Sequence, residues 1–238
     1  MKRGVVVFGK EARPGKVKTR LAQDMGNQHA VLFYRAFAQD IFEMVGCLLQ
    51  REEQTDGFLA WSGSREAELV SYATEVGLQV IDQGSGGLGD RLERVCSEMR
   101  ARGYEEILII GTDSPTLSEE HLQTAFLSLE FHHVVFGPSF DGGYYLIGMA
   151  LRRAEPTEME ELLFREIEWS TSKVLGASLR AAKKGGLLCD LLGFWYDIDT
   201  VEDLEILRYH LPFLAAADLQ VGGRTREVLE KIEKLQKK

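Results

Sequence analysis

The chain has 238 residues, of which 45% are hydrophobic and 27% charged, a composition typical of a globular protein with a sizeable core. Its formal net charge of −9 argues against general binding of nucleic acid but leaves room for a small anion in a local basic pocket. The three cysteines form no CxxC pair, which indicates reduced thiols rather than a disulfide or zinc framework.

The N-terminal residues lead directly into a short apolar segment, residues 4–9 (GVVVFG). This segment is too short for a signal peptide or a membrane span. We therefore expect a cytoplasmic protein without a membrane span.

Short apolar segments alternate along the chain with amphipathic ones. The predicted strands are residues 4–9, 57–61, 78–82, 105–110, 134–136, 144–147 and a short one near 194–199. The first three predicted helices cover residues 33–48, 66–74 and 88–103. Four further helices are predicted to begin at Ser118, near the capping-box pair Thr157 and Glu160, at Thr171 and at Thr200. A last helix is predicted beyond about residue 219.

This alternation predicts an α/β fold with a mainly parallel sheet and helices on both faces, in which residues 144–147 are the antiparallel exception. No linker or repeat interrupts the sequence. We predict one domain, residues 1–238, with residues after about 219 as a C-terminal helical extension. Ligands of such sheets bind beyond the carboxyl ends of the strands, so the loops after Phe8, after Ile110, around Asp141 and around Asp199 form one candidate site.

The loop after the first strand, residues 9–22 (GKEARPGKVKTRLA), concentrates positive charge in an acidic protein. Glycines at 9 and 15 would let the backbone approach a phosphate, and the loop's cationic side chains would neutralise it: Lys10, Arg13, Lys16, Lys18 and Arg20. The spacing is not that of a P-loop. A phosphate-binding loop and a merely solvated basic loop both stay open.

Carboxylates follow two later strands. Asp113, in GTDSPTL, comes just after the most apolar strand, where it suits a Mg²⁺ ligand or simply starts a turn. Asp197 and Asp199, in YDIDTVEDL, lie two residues apart and would point to the same side of an extended segment. Helix capping accounts for Thr200 but not for these two carboxylates, one of which could be a second metal ligand.

Two glycine-rich segments leave a similar choice. In residues 137–148 (GPSFDGGYYLIG), a plain hairpin explains the glycines, whereas bare backbone facing a ligand would explain both the glycines and Asp141. Residues 84–95 (GSGGLGDRLERV) could place an anion at a helix N-terminus or form a flexible loop.

Taken in order, FGKEARPGKVKTRL, GGLGDRL, GTDSPTL, GPSFDGGYYLIG, WST and YDIDTVEDL resemble the bacterial nucleotide-diphospho-sugar transferase-like proteins. Some members are labelled arsenosugar-biosynthesis glycosyltransferases. Molybdenum-cofactor guanylyltransferase and phospholactate guanylyltransferase are more distantly similar. The resemblance spans residues 4–204 and implies the three-layer, Rossmann-like GT-A fold with a mixed, mainly parallel sheet.

The resemblance also implies the site. The nucleotide-binding residues would be Lys10, Arg13, Gly15, Lys18, Arg20, Gly87 and Asp90. Asp113 and Asp199 would hold Mg²⁺ or Mn²⁺. Asp141 would lie at the acceptor end of the cleft, either as general base on an acceptor hydroxyl or as its hydrogen-bond partner.

The expected activity is metal-dependent transfer from a nucleotide-sugar or nucleotide donor to a small-molecule acceptor, with glycosyl transfer placed first. One alternative is a nucleotidyltransferase that acts on a phosphorylated acceptor, and another is a non-catalytic nucleotide-binding module. No nucleic-acid partner is expected, and a homo-oligomer is left open.

Overall fold

The computed structural model describes residues 1–153, 158–216 and 221–236, which form a seven-stranded sheet flanked by helices. The strands are β1 (Arg3–Lys10), β2 (Thr55–Ser62), β3 (Gln79–Asp82), β4 (Glu106–Ile110), β5 (Val134–Pro138), β6 (Tyr144–Met149) and β7 (Cys189–Leu191). The helices are α1 (Thr19–Met25), α2 (Asn27–Arg51), α3 (Glu68–Glu75), α4 (Leu88–Ala101), α5 (Glu119–Leu129), α6 (Glu158–Phe164), α7 (Val174–Lys184), α8 (Val201–Ala216) and α9 (Gly223–Gln236). A 3₁₀ turn, Leu151–Arg153, follows β6.

The strand order is β3-β2-β1-β4-β6-β5-β7. Strands β1 to β4 pair in parallel, and β6 pairs antiparallel with both β4 and β5. The predicted α/β class and the antiparallel exception are therefore confirmed. Because β6 reverses direction, β5 runs parallel to β4, and the turn after β5 lies at the same edge as the loops after β1 and β4.

The first strand shows why its sequence is apolar throughout. Alternate side chains of a strand point to opposite faces, and both faces of this sheet are covered. Val5 and Val7 belong to a core with residues of α2, α3 and α5. Val6 belongs to the opposite core, with residues of α4, α6 and α7. The result is the expected three-layer arrangement.

A third apolar cluster lies beside the sheet, where α1, α2, α8 and α9 meet. Phe33 and Phe37 of α2 contribute its aromatic side chains, and Leu207 and Ile232 come from the two C-terminal helices. The predicted boundary near residue 219 falls among residues 217–220, outside the described ranges, and the single-domain organisation stays a prediction. Thr157 of the predicted capping box also lies outside them.

Predicted helix starts agree with the structure at Ser118 and Thr200. Ser118 is the N-cap of α5, and the Asp203 backbone N–H donates to Thr200 Oγ1 at 3.3 Å in front of α8. The start at Thr171 is wrong, because Thr171 Oγ1 accepts from the backbone N–H of Lys173 in a turn and α7 begins at Val174. Among the described residues, no helix is long and apolar enough to cross a membrane.

The strand predicted near residues 194–199 is wrong. The last strand is β7, and residues 194–199 add only one isolated bridge, between Ser139 and Trp195. The three consecutive aromatic residues, Phe194 to Tyr196, give the segment a strand-like composition, but its side chains have separate partners here. Trp195 Nε1 donates to Thr116 Oγ1, whereas the carboxylates turn toward the loops after β1 and β4.

Candidate functional site

The loops after β1, β4 and β5 share one edge of the sheet with residues 193–199. The backbone N–H of Ile198 donates to the carbonyl of Asp113 at 2.9 Å, and that of Trp195 donates to the carbonyl of Pro138 at 3.1 Å. This edge lies at the carboxyl ends of β1, β4 and β5, where α/β proteins bind ligands. The four predicted loops are therefore neighbours in space.

Lys18 lies at the centre of this edge. Its backbone is left-handed, with φ 45° and ψ 49°, immediately before α1. Only 3% of its side chain is exposed, and Nζ lies 2.5 Å from Asp113 Oδ1 and 2.9 Å from Asp199 Oδ1. A left-handed residue other than glycine costs of order 1–3 kcal/mol and persists where its surroundings over-determine it, which is characteristic of functional sites.

The pKa values at this ion pair reflect burial opposed by charge. Burial by itself lowers the pKa of Lys18, but the Asp113 and Asp199 carboxylates outweigh it and raise the pKa above its usual value. Burial by itself raises the pKa of Asp199, but Lys18, Arg20 and Lys10 outweigh it and lower the pKa. The Lys18 ammonium and the Asp199 carboxylate therefore stabilise each other's charged form.

Asp197 is a third carboxylate in the same cluster. Its Oδ1 accepts a hydrogen bond from Ser114 Oγ at 2.5 Å. Burial, reinforced by the charges of Asp113 and Asp141, raises its pKa to about 6 against the opposing effects of Ser114 and Lys18. The family resemblance implies Asp199 rather than Asp197 as the metal ligand, and the hydrogen bond from Ser114 to Asp197 is not part of the sequence-based prediction.

The turn that carries Asp141 is held by that side chain. Asp141 Oδ1 accepts hydrogen bonds from Ser139 Oγ at 2.5 Å and from the backbone N–H of Gly143 at 2.9 Å. Gly142 has φ 89°, and a Cβ there would lie 2.1 Å from the carbonyl oxygen of Ser172. Turn geometry and the close approach of residues 170–175 thus account for the glycine at 142. Asp141 itself is exposed, and its charge contributes to the raised pKa of Asp197.

The predicted phosphate-binding residues separate into two groups. Lys10 and Arg20 join Lys18 in the electrostatic environment of Asp199, with Arg20 Nη1 3.9 Å from Asp199 Oδ2. Arg13 instead pairs with Glu11 in its own loop, at 2.7 Å. Gly15 makes a turn with φ 73°. The ionic contacts described here do not join Arg13 to the carboxylate cluster.

The second predicted nucleotide-binding segment is folded around a helix cap. Gly87 is the N-cap of α4, and its backbone N–H donates to Asp90 Oδ2 at 2.8 Å. This bond accounts for Asp90 as a capping residue. Contact of Gly87 or Asp90 with a nucleotide stays a prediction.

The carboxylates suit a divalent cation in chemical type and access. The side chains of Asp113 and Asp199 are 48% and 40% exposed, and they converge on the same Lys18 ammonium. Mg²⁺ usually takes one or two protein carboxylates and completes its shell with water and phosphate. Asp113 and Asp199 supply the two carboxylates that such a site uses. The described residues contain no cluster of three or more His, Cys, Asp or Glu side chains able to hold a metal.

Comparison with known proteins gives the family. The profile of a bacterial family described as uncharacterized conserved proteins, DUF2064, matches residues 47–171. The chain belongs to the DUF2064 family. A crystal structure of a provisionally named nucleotide-diphospho-sugar transferase from Desulfovibrio desulfuricans G20 is 30% identical, with a TM-score of 0.75 and 87% of each chain covered. No functionally curated protein matches the sequence.

More distant structures share the fold of this DUF2064 protein. A cytidylyltransferase from Leptospira borgpetersenii is 13% identical, with a TM-score of 0.56, and the match covers 100% of this chain and 96% of that one. A glucosyl-3-phosphoglycerate synthase from Mycobacterium tuberculosis, solved with Mn²⁺ and uridine diphosphate, is 12% identical with a TM-score of 0.51; the match covers 81% of this chain and 70% of that one. The fold is thus the one used by nucleotide-dependent transferases, in agreement with the expected enzyme class.

Proposed function

We propose that this DUF2064 protein is a metal-dependent transferase that uses a nucleotide-sugar donor and a small acceptor bearing a hydroxyl group. The observation that supports this most is the cluster of Lys18, Asp113 and Asp199 at the carboxyl edge, with Asp141 on the adjacent turn. It combines cations for a diphosphate, carboxylates for a cation and a carboxylate for an acceptor.

In this proposal the residues of the β1 loop act on the donor. Lys10 and Arg20 are exposed beside Asp199 and would neutralise the diphosphate as it leaves. Lys18 holds Asp113 and Asp199 side by side, and a phosphate oxygen would contact its ammonium beside these carboxylates. Asp113 and Asp199 would hold Mg²⁺ or Mn²⁺, which as a Lewis acid stabilises charge on the leaving diphosphate.

Asp141 would act on the acceptor. Its Oδ1 accepts hydrogen bonds from Ser139 and Gly143, so its Oδ2 would be the oxygen that accepts from an acceptor hydroxyl. In the transfer, the acceptor oxygen bonds to the anomeric carbon as the bond from that carbon to the diphosphate oxygen breaks. The hydroxyl proton passes to Asp141, and the bonding electron pair leaves with the diphosphate.

Nucleotidyl transfer is the second candidate, because the cationic side chains of the β1 loop suit a triphosphate as well as a diphosphate. An acceptor phosphate would then attack the α-phosphorus and release pyrophosphate. Incubating the protein with each nucleoside triphosphate and a phosphorylated acceptor separates the two reactions, since only this one releases pyrophosphate.

The donor half is tested by calorimetry with nucleoside diphosphates and nucleotide sugars, with and without Mn²⁺. We expect at least one nucleotide to bind more tightly with Mn²⁺, and Asp113→Asn to abolish the Mn²⁺ effect while leaving the fold intact. Asp24→Asn, an exposed aspartate at the far end of α1, is the matched control and should behave as wild type. Full retention of the Mn²⁺ effect in Asp113→Asn would refute the metal assignment.

A further inference from the structure

Two phenylalanine rings are exposed side by side at the same edge of the sheet. Phe140 and Phe194 are 76% and 57% exposed, although large apolar side chains normally seek burial. Their ring centroids lie 5.4 Å apart with an interplanar angle of 24°, an offset-stacked pair. Single exposed apolar residues need no explanation, whereas contiguous exposed apolar surface is a feature of binding sites.

The backbone fixes this pair before any ligand arrives. Phe140 lies in the turn after β5 and Phe194 in the segment after β7, and these two segments run side by side. The backbone N–H of Leu192 donates to the carbonyl of Phe136 at 2.9 Å, and Trp195 forms a bridge with Ser139. The two backbone segments are therefore already ordered, which leaves only the side-chain rotamers of the rings to be fixed when something binds to them.

The place of the pair in the site indicates what covers it. Phe140 directly precedes Asp141 in the same turn, and Phe194 comes three residues before Asp197. The bridge between Ser139 and Trp195 places the turn of Asp141 beside the segment that leads to Asp197. A molecule whose hydroxyl reaches Asp141 would therefore have its adjoining part next to the two rings. Phenylalanine offers no hydrogen-bonding group, so that part is apolar.

We propose that Phe140 and Phe194 form an acceptor subsite that selects a hydroxyl compound bearing an apolar aryl or alkyl group next to the hydroxyl. This inference rests on the proposed function, because it places the acceptor at Asp141. It narrows the acceptor from any small hydroxyl compound to an amphipathic one and disfavours acceptors that are polar on all sides.

Binding of matched alcohols tests the subsite without any need for turnover. Saturation-transfer NMR is run with 2-phenylethanol, n-hexanol and glycerol, in the presence of the nucleotide that binds best. We expect the first two to bind to the wild type and glycerol not to bind. The double variant Phe140→Ser, Phe194→Ser should lose roughly tenfold or more in affinity for both apolar alcohols, the scale expected for apolar side-chain contacts.

Two further variants test whether the effect is specific to this site and which apolar groups the subsite binds. Phe131→Ser is the matched control, because Phe131 is 71% exposed but precedes β5 at the opposite edge of the sheet; it should bind all three alcohols as wild type does. Phe140→Leu with Phe194→Leu keeps apolar surface without rings. Weaker binding of 2-phenylethanol alone in that variant would assign the subsite to aryl groups, and unchanged binding of both alcohols would assign it to apolar groups in general.

The outcomes separate this inference from the function on which it rests. Equal alcohol binding in the wild type and the double serine variant, with nucleotide binding intact, overturns the subsite alone. Absence of nucleotide binding in the wild type overturns the proposed function instead. A wild type that sediments as a dimer and a double variant that sediments as a monomer would show that a second copy covers the rings, which also overturns the subsite.

Discussion

At the scale of single residues, Asp141 offers the clearest separation of donor binding from turnover. Asparagine suits turns as aspartate does, and its Oδ1 can still accept the bonds from Ser139 and Gly143. Asp141→Asn should therefore leave donor affinity nearly unchanged while turnover falls by about 10²–10⁴-fold, the loss typical of a general base. Steady-state kinetics and calorimetry on the same preparation measure both.

Either of two results would contradict that assignment. Unchanged turnover would reduce Asp141 to a turn residue. A large loss of donor affinity with metal present would move it to the nucleotide side of the cleft.

Lys18 can be tested against a neighbour in the same loop. Lys18→Ala should weaken binding of nucleoside di- and triphosphates by roughly 1.5–3 kcal/mol, the range for hydrogen bonds to charged groups, with little effect on the bare nucleoside. Lys16 is exposed, and none of the contacts described here ties its side chain to the carboxylates, so Lys16→Ala is the control. Calorimetry that shows equal losses for nucleoside and nucleotide would place Lys18 outside the phosphate site.

At the scale of secondary-structure elements, the turn after β5 depends on its contact with the segment before α7. Gly142→Ala combines a positive φ with a Cβ 2.1 Å from the Ser172 carbonyl oxygen. Gly186 also has positive φ, 68°, but a Cβ there meets nothing within 4 Å. The difference between Gly142→Ala and Gly186→Ala therefore isolates the collision from the backbone strain.

We expect hydrogen exchange to become faster in residues 139–143 and 170–175 of Gly142→Ala, together with a fall in turnover. Gly186→Ala should show faster exchange only around its own turn and keep full turnover. Identical behaviour of the two variants would mean that φ strain alone governs both sites.

Elements defined by local pattern were predictable, whereas those defined by distant partners were not. The β-branched run of β1 and the apolar spacing of Leu92, Val95 and Met99 in α4 are local signals, and both elements form where expected. Residues 194–199 carry strand-like composition but owe their conformation to loops far away in the sequence. Tertiary contacts decide such segments, because β-propensity largely reflects packing.

The candidate site shows the same division. The loops could be assigned to one edge from the predicted parallel sheet, yet the burial of Lys18 could not be foreseen, since its partner Asp199 is 181 residues away. The sequence gives no reason to expect that one of the five cationic residues in this loop is buried while the others are solvated. The stacking of Phe140 on Phe194 could likewise not be predicted, because neither local sequence indicates that the other residue is a neighbour in space.

At the scale of the whole molecule, one buried carboxylate fastens the C-terminal helix to the rest of the chain. Asp40 of α2 accepts hydrogen bonds from the backbone N–H groups of Arg224 and Thr225 at 2.7 and 3.0 Å and from Thr225 Oγ1 at 2.5 Å. Glu43 of α2 and Tyr72 of α3 also contact Arg224. Burial, assisted by the charge of Glu43, raises the pKa of Asp40 to about 6.

This shift gives a pH dependence with a definite sign. An acid whose pKa is raised by folding stabilises the protein in its protonated form, and that contribution is lost as pH rises from about 4 through about 6. Relative to Asp40→Asn, the wild type should lose on the order of 3 kcal/mol of unfolding free energy across this window. Urea titrations at pH 4, 5, 6 and 7 measure it.

The exposed Glu75→Gln in α3 serves as control and should show no such pH-dependent difference from the wild type. A wild type that keeps or gains stability relative to Asp40→Asn as pH rises through 6 would show that the hydrogen bonds from α9 outweigh the cost of burying the charge.

The reversed direction of β6 has a consequence for how this family can change. The carboxyl edge of the sheet is assembled from two blocks of loops, one on each side of the boundary between β4 and β6. Loops of the β3-β2-β1-β4 half carry Lys10, Lys18 and Arg20. Loops of the β6-β5-β7 half carry Phe140, Asp141 and Phe194. The blocks come from separate stretches of chain and meet where Lys18 contacts Asp199 and the backbone of Ile198 contacts that of Asp113. Grafting residues 139–143 and 193–196 from one family member onto another should therefore transplant the choice of acceptor, while the recipient keeps its own choice of nucleotide.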